Sequence, residues 1–165
     1  MAEPENISNR DQAAAASAQL HDLLPFAIAD RLFAVFTDQV DATAEGKPFA
    51  RLPRTPLAVV GVVCVRGRML TVLDPAAALN EPTKEWEQTL PYVLVLRGDD
   101  QLGLAAESCR DTITISTDDI EPPSATSDKA ALGVVRYAGE EILILDAKRL
   151  FERAVQRKER RRRRF

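Results

Sequence analysis

Short runs of apolar residues, separated by turn-forming residues, recur along most of the chain and predict β-strands rather than long helices. The clearest run covers residues 56–79 and reads PLAVVGVVCVRGRMLTVLDPAAAL. It contains two apolar arms that meet at Arg66-Gly67, and its second arm alternates residue by residue. We predict a β-hairpin that turns at Arg66-Gly67, followed by a short helix with Asp74 as its N-cap and Pro75 as its first residue.

A second copy of this pattern covers residues 133–151 and aligns with the first copy without a gap at an offset of 72. Six residues recur identically: Gly61, Val62, Val63, Gly67, Leu73 and Asp74 correspond to Gly133, Val134, Val135, Gly139, Leu145 and Asp146. At the turn itself the copies differ, because Ala138 stands in the place of Arg66. The backbone of the turn therefore does not require arginine, and Arg66 is either incidental or functional.

The rest of the chain follows the same order twice: a hairpin, a loop, the Gly-Val-Val hairpin and a capped helix. Residues 24–35 predict two short strands, residues 91–105 a hairpin, and residues 112–116 a further strand. Residues 37–56 are richer in Pro, Gly and charge, which indicates an irregular connection or an edge strand. About five short strands per half predict a mainly β protein made of two small closed barrels. Each half would be marginal alone, so the two halves are expected to pack together.

Composition shifts divide the chain into three parts. Residues 1–23 form a polar, Ala-rich extension, either a flexible arm or a short helix capped by Asp11. Residues 24–155 form one domain of two subdomains, which we expect to divide near residues 80–90, with a C-terminal helix packing back. Residues 156–165 form a basic tail.

The 165-residue chain is 45% hydrophobic and has no apolar run near the ~20 residues that span a bilayer. Its first residues, MAEPEN, carry acids where a secretory signal carries bases, so we expect a cytoplasmic protein without membrane insertion. Cys64 and Cys109 lie in predicted strands and have neither metal-ligand spacing nor a disulfide framework. We expect both thiols to be buried and inert.

Charge is distributed unevenly along the chain. Residues 149–165 contain nine Arg or Lys and two Glu, a net +7, which leaves −10 on the remainder of a chain whose net charge is −3. Such a tail can be a solvated end, or it can attach to an acidic protein, nucleic acid or an anionic membrane. We favour a solvated end or an acidic protein partner over nucleic acid.

Catalytic chemistry has little support in the sequence. The motifs of serine hydrolases, P-loop and Rossmann nucleotide-binding proteins and zinc proteases are absent, and the single histidine, His21, lies near the N-terminal extension. Asp74 and Asp146 are interpreted as helix N-caps rather than as a catalytic carboxylate pair. We therefore expect neither enzymatic activity, nor a cofactor, nor a metal site.

The run LPRTPLAVVGVVCVRGRMLTVLD, residues 52–74, resembles the signature of CheW-like domains, the coupling proteins of bacterial chemosensory arrays. The matching residues are Leu52, Pro53, Pro56, Gly61-Val62, Arg66-Gly67 and Val72-Leu73-Asp74. The resemblance covers about residues 24–151. The chain departs from the pattern at Cys64-Val65 and Ala106-Glu107, which indicates a divergent member of the family.

The resemblance implies two intertwined SH3-like five-stranded barrels with short helices and a C-terminal helix, and no enzymatic activity. It implies binding to the regulatory domain of a CheA-type histidine kinase and to the cytoplasmic tip of a methyl-accepting chemoreceptor, with recruitment to receptor arrays. Carried onto this chain, the partner-binding residues are Val40, Gly61, Arg66, Gly67 and Arg68. The two glycines can equally matter only because a side chain would disturb the local backbone.

Overall fold

The computed structural model describes residues 19–124 and 129–162, with side chains described up to Ala154. Within these ranges the chain is mainly β, as the sequence predicts. The strands are β1 Leu20–Ile28, β2 Arg31–Phe36, β3 Val40–Ala50, β4 Val59–Val65, β5 Arg68–Leu73, β6 Thr89–Leu96, β7 Leu102–Ala106, β8 Ser108–Cys109, β9 Ile113–Ser116, β10 Ala131–Tyr137 and β11 Glu140–Leu145. The α-helices are Pro75–Ala78 and Ala147–Arg162, and single 3-10 turns cover Thr37–Gln39 and Thr117–Asp119.

The first barrel is closed by five strands in the order β3-β4-β5-β7-β6. All neighbouring strands are antiparallel except β5 and β7, which run parallel with Val72 opposite Gly103. Burial follows the strand period of two, since Leu70 and Val72 of β5 point inward while Met69 is 55% exposed. The alternation of the second arm therefore corresponds to one buried face and one face nearer to solvent.

The second sheet contains six strands, in which β10, β11, β2 and β1 follow one another and both β8 and β9 pair with β1. Beyond β9 the chain returns to β10, where Glu121 and Val134 exchange two backbone hydrogen bonds of 2.8 and 2.9 Å. Because β9 continues into this bridge, the sheet curls into a second barrel that is closed by a single residue pair. In the first barrel, Ala50 pairs with Val62 at the corresponding position.

The two barrels exchange hairpins along the chain. The β3-β4-β5 unit is completed by the hairpin that follows it, β6-β7, whereas β9, β10 and β11 are completed by β1-β2 at the start of the chain. The first barrel therefore occupies residues 40–106, and the second occupies 20–36 and 108–145. The order of elements in the sequence predicts that the two subdomains divide near residues 80–90. The strands do not divide there, because hairpin β6-β7, which follows that break, belongs to the first barrel. The parallel pair β11-β2, with Ile144 opposite Ala34, repeats the geometry of β5-β7.

Strand β3 corrects the expectation of an irregular connection or edge strand at residues 37–56. It is 11 residues long and pairs with β4 on one side and β6 on the other. Its outward residues, among them Asp41 and Glu45, are exposed, while its inward residues are half-buried. The polar composition of β3 therefore reflects one solvated face, and Gly46, with a φ of 59°, marks the point where the alternation shifts.

One hydrophobic core joins both barrels. The main buried cluster contains Phe26 and Phe33 of the second barrel, Val63 and Leu94 of the first, and Leu150 of the C-terminal helix. The predicted C-terminal helix thus packs back on the domain. The predicted cap at Asp11 lies outside the described residues, and β1 begins at Leu20, four residues before the expected domain boundary.

Candidate partner-binding surface

The β4-β5 hairpin ends in a two-residue turn whose geometry is repeated in the duplicate. Arg66 and Gly67 have φ values of 49° and 77°, and Ala138 and Gly139 have φ values of 50° and 80°. Two successive positive φ values define a type I′ turn, the kind that matches the twist of an antiparallel hairpin. Both copies therefore carry the conformational cost of a non-glycine residue at positive φ in the first position of the turn. The copies differ only in which side chain occupies that position.

The two hairpin tips differ in charge at two equivalent positions. The first tip presents Arg66 and Arg68, both exposed, where the second presents Ala138 and Glu140. Arg110 forms an ion pair with Glu140, and this hydrogen-bonded contact holds the pKa of the Glu140 carboxyl below its usual range. Among the described residues, neither arginine of the first tip has an ion-pair partner. The first tip is therefore an available cationic feature.

Strand direction decides which predicted residues lie together. Strands β3, β5 and β7 run one way and β4 and β6 the other, so the start of β3 and the β4-β5 turn lie at the same end of the barrel. Val40 is half-buried there, opposite Leu96 of β6. We call this end, which carries Val40, Arg66, Gly67 and Arg68, the basic rim.

Gly61 does not lie on the basic rim. It is buried in β4 at a shift in the β4-β5 register, with a φ of 156°. A Cβ atom built there would lie closer than 3.0 Å to the carbonyl oxygen of Ala50, a distance that real Cβ atoms essentially never show. Gly133 sits at the same shift in β10, and its Cβ would meet the carbonyl oxygen of Glu121 at 2.9 Å. Both glycines permit the close strand approach that completes each barrel.

Two residues that sequence reasoning did not assign to the surface extend it. Cys64 and Met69 pair across β4 and β5 on the outward face beside the arginines, and both are exposed. The exposure of Cys64 corrects the expectation of two buried thiols, because the alternation of β4 turns this residue away from Val63 and Val65. Cys109 is half-buried, and burial raises the pKa of its thiol to about 11.

Asp74 caps the short helix, as the sequence predicts, and also holds the segment that follows. Its side chain accepts hydrogen bonds from the backbone N–H of Ala77 at 3.1 Å, from the indole N–H of Trp86 at 2.8 Å and from the Thr83 hydroxyl. Asp74 is only 2% exposed. Every contact of this buried carboxylate is therefore structural, and the predicted polar break contains a buried tryptophan.

Two concave regions are lined by residues other than Arg66 and Arg68. A groove of about 640 Å³ lies beside the acidic tip and is lined by Asp30, Arg31, Glu81, Arg110 and Glu140, among others. A smaller cavity of about 230 Å³ lies where the β6-β7 loop meets the first turn of the C-terminal helix. None of the five predicted partner-binding residues lines either region.

Within the described part of the chain, no three His, Cys, Asp or Glu side chains cluster in a way that could hold a metal ion. His21, the one histidine, hydrogen-bonds the Thr117 hydroxyl at 3.0 Å and packs edge-on against Phe36. No helix in the same part of the chain is both long and apolar enough to cross a membrane.

Comparisons with known proteins point to one family. The family model described as CheW-like domain matches residues 22–155. The chemotaxis protein CheW of Rhizobium meliloti (strain 1021) is 29% identical over 136 residues, which cover 79% of this chain and 86% of that protein. Protein FrzA of Myxococcus xanthus is 30% identical over 153 residues, which cover 89% of this chain and 96% of that protein.

A solved structure shares the fold. The crystal structure of the scaffolding protein TtCheW from Thermoanaerobacter tengcongensis matches with a TM-score of 0.71 at 22% identity. The match covers 81% of this chain and 94% of that one. At this identity the likeness establishes the mainly β architecture of paired barrels and a C-terminal helix.

Proposed function

Because the chain belongs to the CheW-like domain family, we propose that it is a non-enzymatic scaffold that couples a chemoreceptor to a CheA-type histidine kinase. Relatives named for chemotaxis and for Frz proteins support a role in chemotaxis or motility signalling. The similar solved structure is named a scaffolding protein, which supports a role in assembly rather than catalysis. In this role the chain acts in the cytoplasm, at assemblies of receptors and kinases.

One observation carries the assignment of the binding surface: the same hairpin is built twice, and only the first copy has an arginine in its two-residue turn. Since Arg66 and Ala138 adopt the same φ, the backbone geometry of the turn does not explain the arginine. Arginine is enriched at protein interfaces, where its planar group can hold a carboxylate through two hydrogen bonds. We infer that the basic rim contacts a partner that presents a carboxylate.

The surface beside the rim fits a partner segment with an apolar face. Met69 and Cys64 form an exposed cross-strand pair on the outward face of the hairpin that carries the two arginines. The centres of protein interfaces commonly combine apolar contact area with arginine side chains that contribute much of the binding energy. Val40 supports the same end of the barrel from within, since it packs against the main core.

The decisive experiment is Arg66→Ala, measured for binding to the kinase regulatory domain and to a receptor tip fragment by titration calorimetry. Arg66 is exposed and makes no ion pair in the described structure, so its loss should change the free energy of unfolding by less than about 1 kcal/mol. Binding to at least one partner should weaken about tenfold or more, since interface arginines commonly contribute over 1 kcal/mol.

Arg136→Ala is the matched control, because Arg136 is also an exposed strand arginine but lies on β10 of the second barrel. It should bind both partners as the wild type does. If Arg66→Ala also binds both partners normally, the basic rim is not the contact surface. If the unaltered chain binds neither a kinase nor a receptor fragment, the coupling function itself is wrong.

A further inference from the structure

Residues 51–57 lie in the connection from β3 to β4, at the end of the first barrel opposite the basic rim. We call this segment the proline loop, because it contains Pro53 and Pro56. Strand β4 runs for seven residues between the loop and the Arg66-Gly67 turn. At about 3.3 Å per residue, this strand separates the two by roughly 20 Å. The proline loop and the basic rim are therefore separate surfaces.

The proline loop presents two leucines to solvent. Leu57 is 91% exposed and Leu52 is 41% exposed, whereas Ala58, the next residue along the chain, lies in the main core. Within the described residues, Leu57 is the most exposed of the large hydrophobic side chains. A single exposed leucine is common on a protein surface and does not by itself identify a binding site. The shape and the charge of the loop are the further observations.

Several contacts hold the proline loop in one shape. The Arg51 guanidinium donates a hydrogen bond to the Trp86 carbonyl oxygen at 2.7 Å and lies 5.6 Å from the centre of the Phe49 ring. The Thr55 hydroxyl donates a hydrogen bond to the Leu52 carbonyl oxygen at 3.2 Å. The two proline rings fix φ at two further positions. Because the loop is already ordered, it loses little conformational entropy when a partner binds.

The proline loop is basic in an acidic chain. Residues 46–73 contain no acidic residue and have a net charge of +5, although the whole chain has a net charge of −3. Glu85 and Glu87 flank Trp86, but within the described residues neither forms an ion pair with Arg51 or Arg54. Arg54 is exposed and has a φ of 60°, a conformation that glycine adopts at lower cost. The backbone therefore does not explain the arginine there.

We propose that the proline loop is a second docking surface of the scaffold, and that it binds an acidic protein segment with an apolar face. This inference rests on the coupling function, since a scaffold that joins two partners needs two surfaces that can be occupied together. The basic rim is one such surface, and the proline loop is the other. The leucines pack against the apolar face of the segment, while Arg54 pairs with one of its carboxylates.

An anionic membrane fits the proline loop less well. The two arginines of the loop give only a weak attraction to negative headgroups, because each basic residue near such a surface contributes little. The rest of the chain carries a net charge of −5, which the same headgroups repel. An acidic protein segment can contact the loop alone, without bringing the remainder of the chain against further negative charge.

The test is Leu57→Ser, measured by titration calorimetry for binding to the kinase regulatory domain and to the receptor tip fragment. Because Leu57 is almost fully exposed, the variant should unfold at the wild-type urea midpoint. It should lose about tenfold or more in affinity for the partner that Arg66→Ala still binds. Wild-type binding of both partners would refute the docking surface. A loss confined to the partner that Arg66→Ala also loses would refute a second surface.

Leu20→Ser is the matched control, since Leu20 is 72% exposed on β1 of the second barrel. It should bind both partners within about twofold of the wild type. Equal losses in the two leucine variants would refute a specific role for the loop. Arg54→Glu should weaken binding of the same partner as Leu57→Ser, and an unchanged affinity would refute the acidic character of that partner.

A synthetic amphipathic peptide, with Leu on one helical face and Glu on the other, tests the loop without either natural partner. Its binding, followed by fluorescence anisotropy, should weaken in Leu57→Ser and stay unchanged in Leu20→Ser. The same peptide with Lys in place of Glu should not bind. If the unaltered chain binds neither kinase nor receptor, the coupling function is wrong and this titration alone decides: loop-dependent binding supports the docking surface, and its absence overturns it.

Two further measurements use the same variants. Flotation with vesicles containing phosphatidylserine tests a membrane, and sedimentation velocity tests self-association. Binding that depends on Leu57 in either measurement, with none to the kinase, the receptor or the acidic peptide, would overturn the proposal in favour of that partner.

Discussion

At the scale of single residues, the two glycines carried over from the family have different physical roles. Gly67 has a φ of 77° in an exposed turn with open space around it. A side chain added there would therefore meet no neighbouring atom, and its only cost would be backbone strain. Gly61 instead lies where a side chain would collide with the backbone of Ala50. The alternative that a glycine matters for structure alone therefore fits Gly61, while Gly67 stays a predicted contact residue.

We predict that Gly61→Ala lowers the free energy of unfolding by about 3 kcal/mol or more, because strand β3 must move away from β4. Gly67→Ala should cost only about 1 kcal/mol, the strain of alanine at positive φ. Urea unfolding of the two variants measures the difference. Equal costs would contradict the assigned contact between Gly61 and β3.

The two capping aspartates also differ in their surroundings. Asp74 is buried and accepts the Trp86 indole hydrogen bond, whereas Asp146 caps the C-terminal helix through the Lys148 N–H at 3.0 Å and is partly exposed. Asp74→Ala should lower the free energy of unfolding by about 3 kcal/mol, since it removes a cap and strands a buried indole N–H. Asp146→Ala should cost about 1 kcal/mol, as for an ordinary cap.

Urea unfolding followed by tryptophan fluorescence measures both variants, because Trp86 is the only tryptophan in the chain. A cost for Asp74→Ala no larger than that for Asp146→Ala would show that the Trp86 contact adds little.

At the scale of elements, the C-terminal helix is part of the core. Leu150 is fully buried in the cluster that joins the barrels, so Leu150→Ala should lower the free energy of unfolding by about 3 kcal/mol through the cavity it leaves. Lys148→Ala, on an exposed position of the same helix, should stay within about 0.5 kcal/mol of the wild type. Thermal or urea unfolding distinguishes them, and equal small effects would mean that the helix is peripheral.

At the scale of the whole molecule, the exchanged hairpins predict cooperative unfolding. The second barrel uses strands from two separated parts of the chain, residues 20–36 and 108–145, and both barrels contribute to one buried cluster. We therefore predict a single calorimetric transition with equal calorimetric and van't Hoff enthalpies. A fragment of residues 1–85 should not fold, because it lacks β6 and β7 of the first barrel. Two separate transitions would contradict the shared core.

Local features were predictable because they depend on residues close in sequence. The type I′ turn at Arg66-Gly67 and the cap at Asp74 each depend on a few neighbouring residues. Each pattern also occurs a second time in the sequence, which supports both predictions. Strand β3 was missed because its outward side chains are polar and its pairing partners lie elsewhere in the chain. The exposure of Cys64 was missed because an apolar run does not show which face of a strand is solvated.

The residue pattern alone predicts a mainly β protein that contains one hairpin twice, and it places an arginine in the turn of the first copy only. The tertiary structure decided which hairpin completes which barrel, that Gly61 serves a close strand approach, and that Val40 lies at the same end as Arg66. The reason is physical: turns and caps are short-range, whereas strand pairing and close packing join residues tens of positions apart. Val40 and the Arg66-Gly67 turn are separate in the sequence, and only the strand directions bring them to the same end of the barrel.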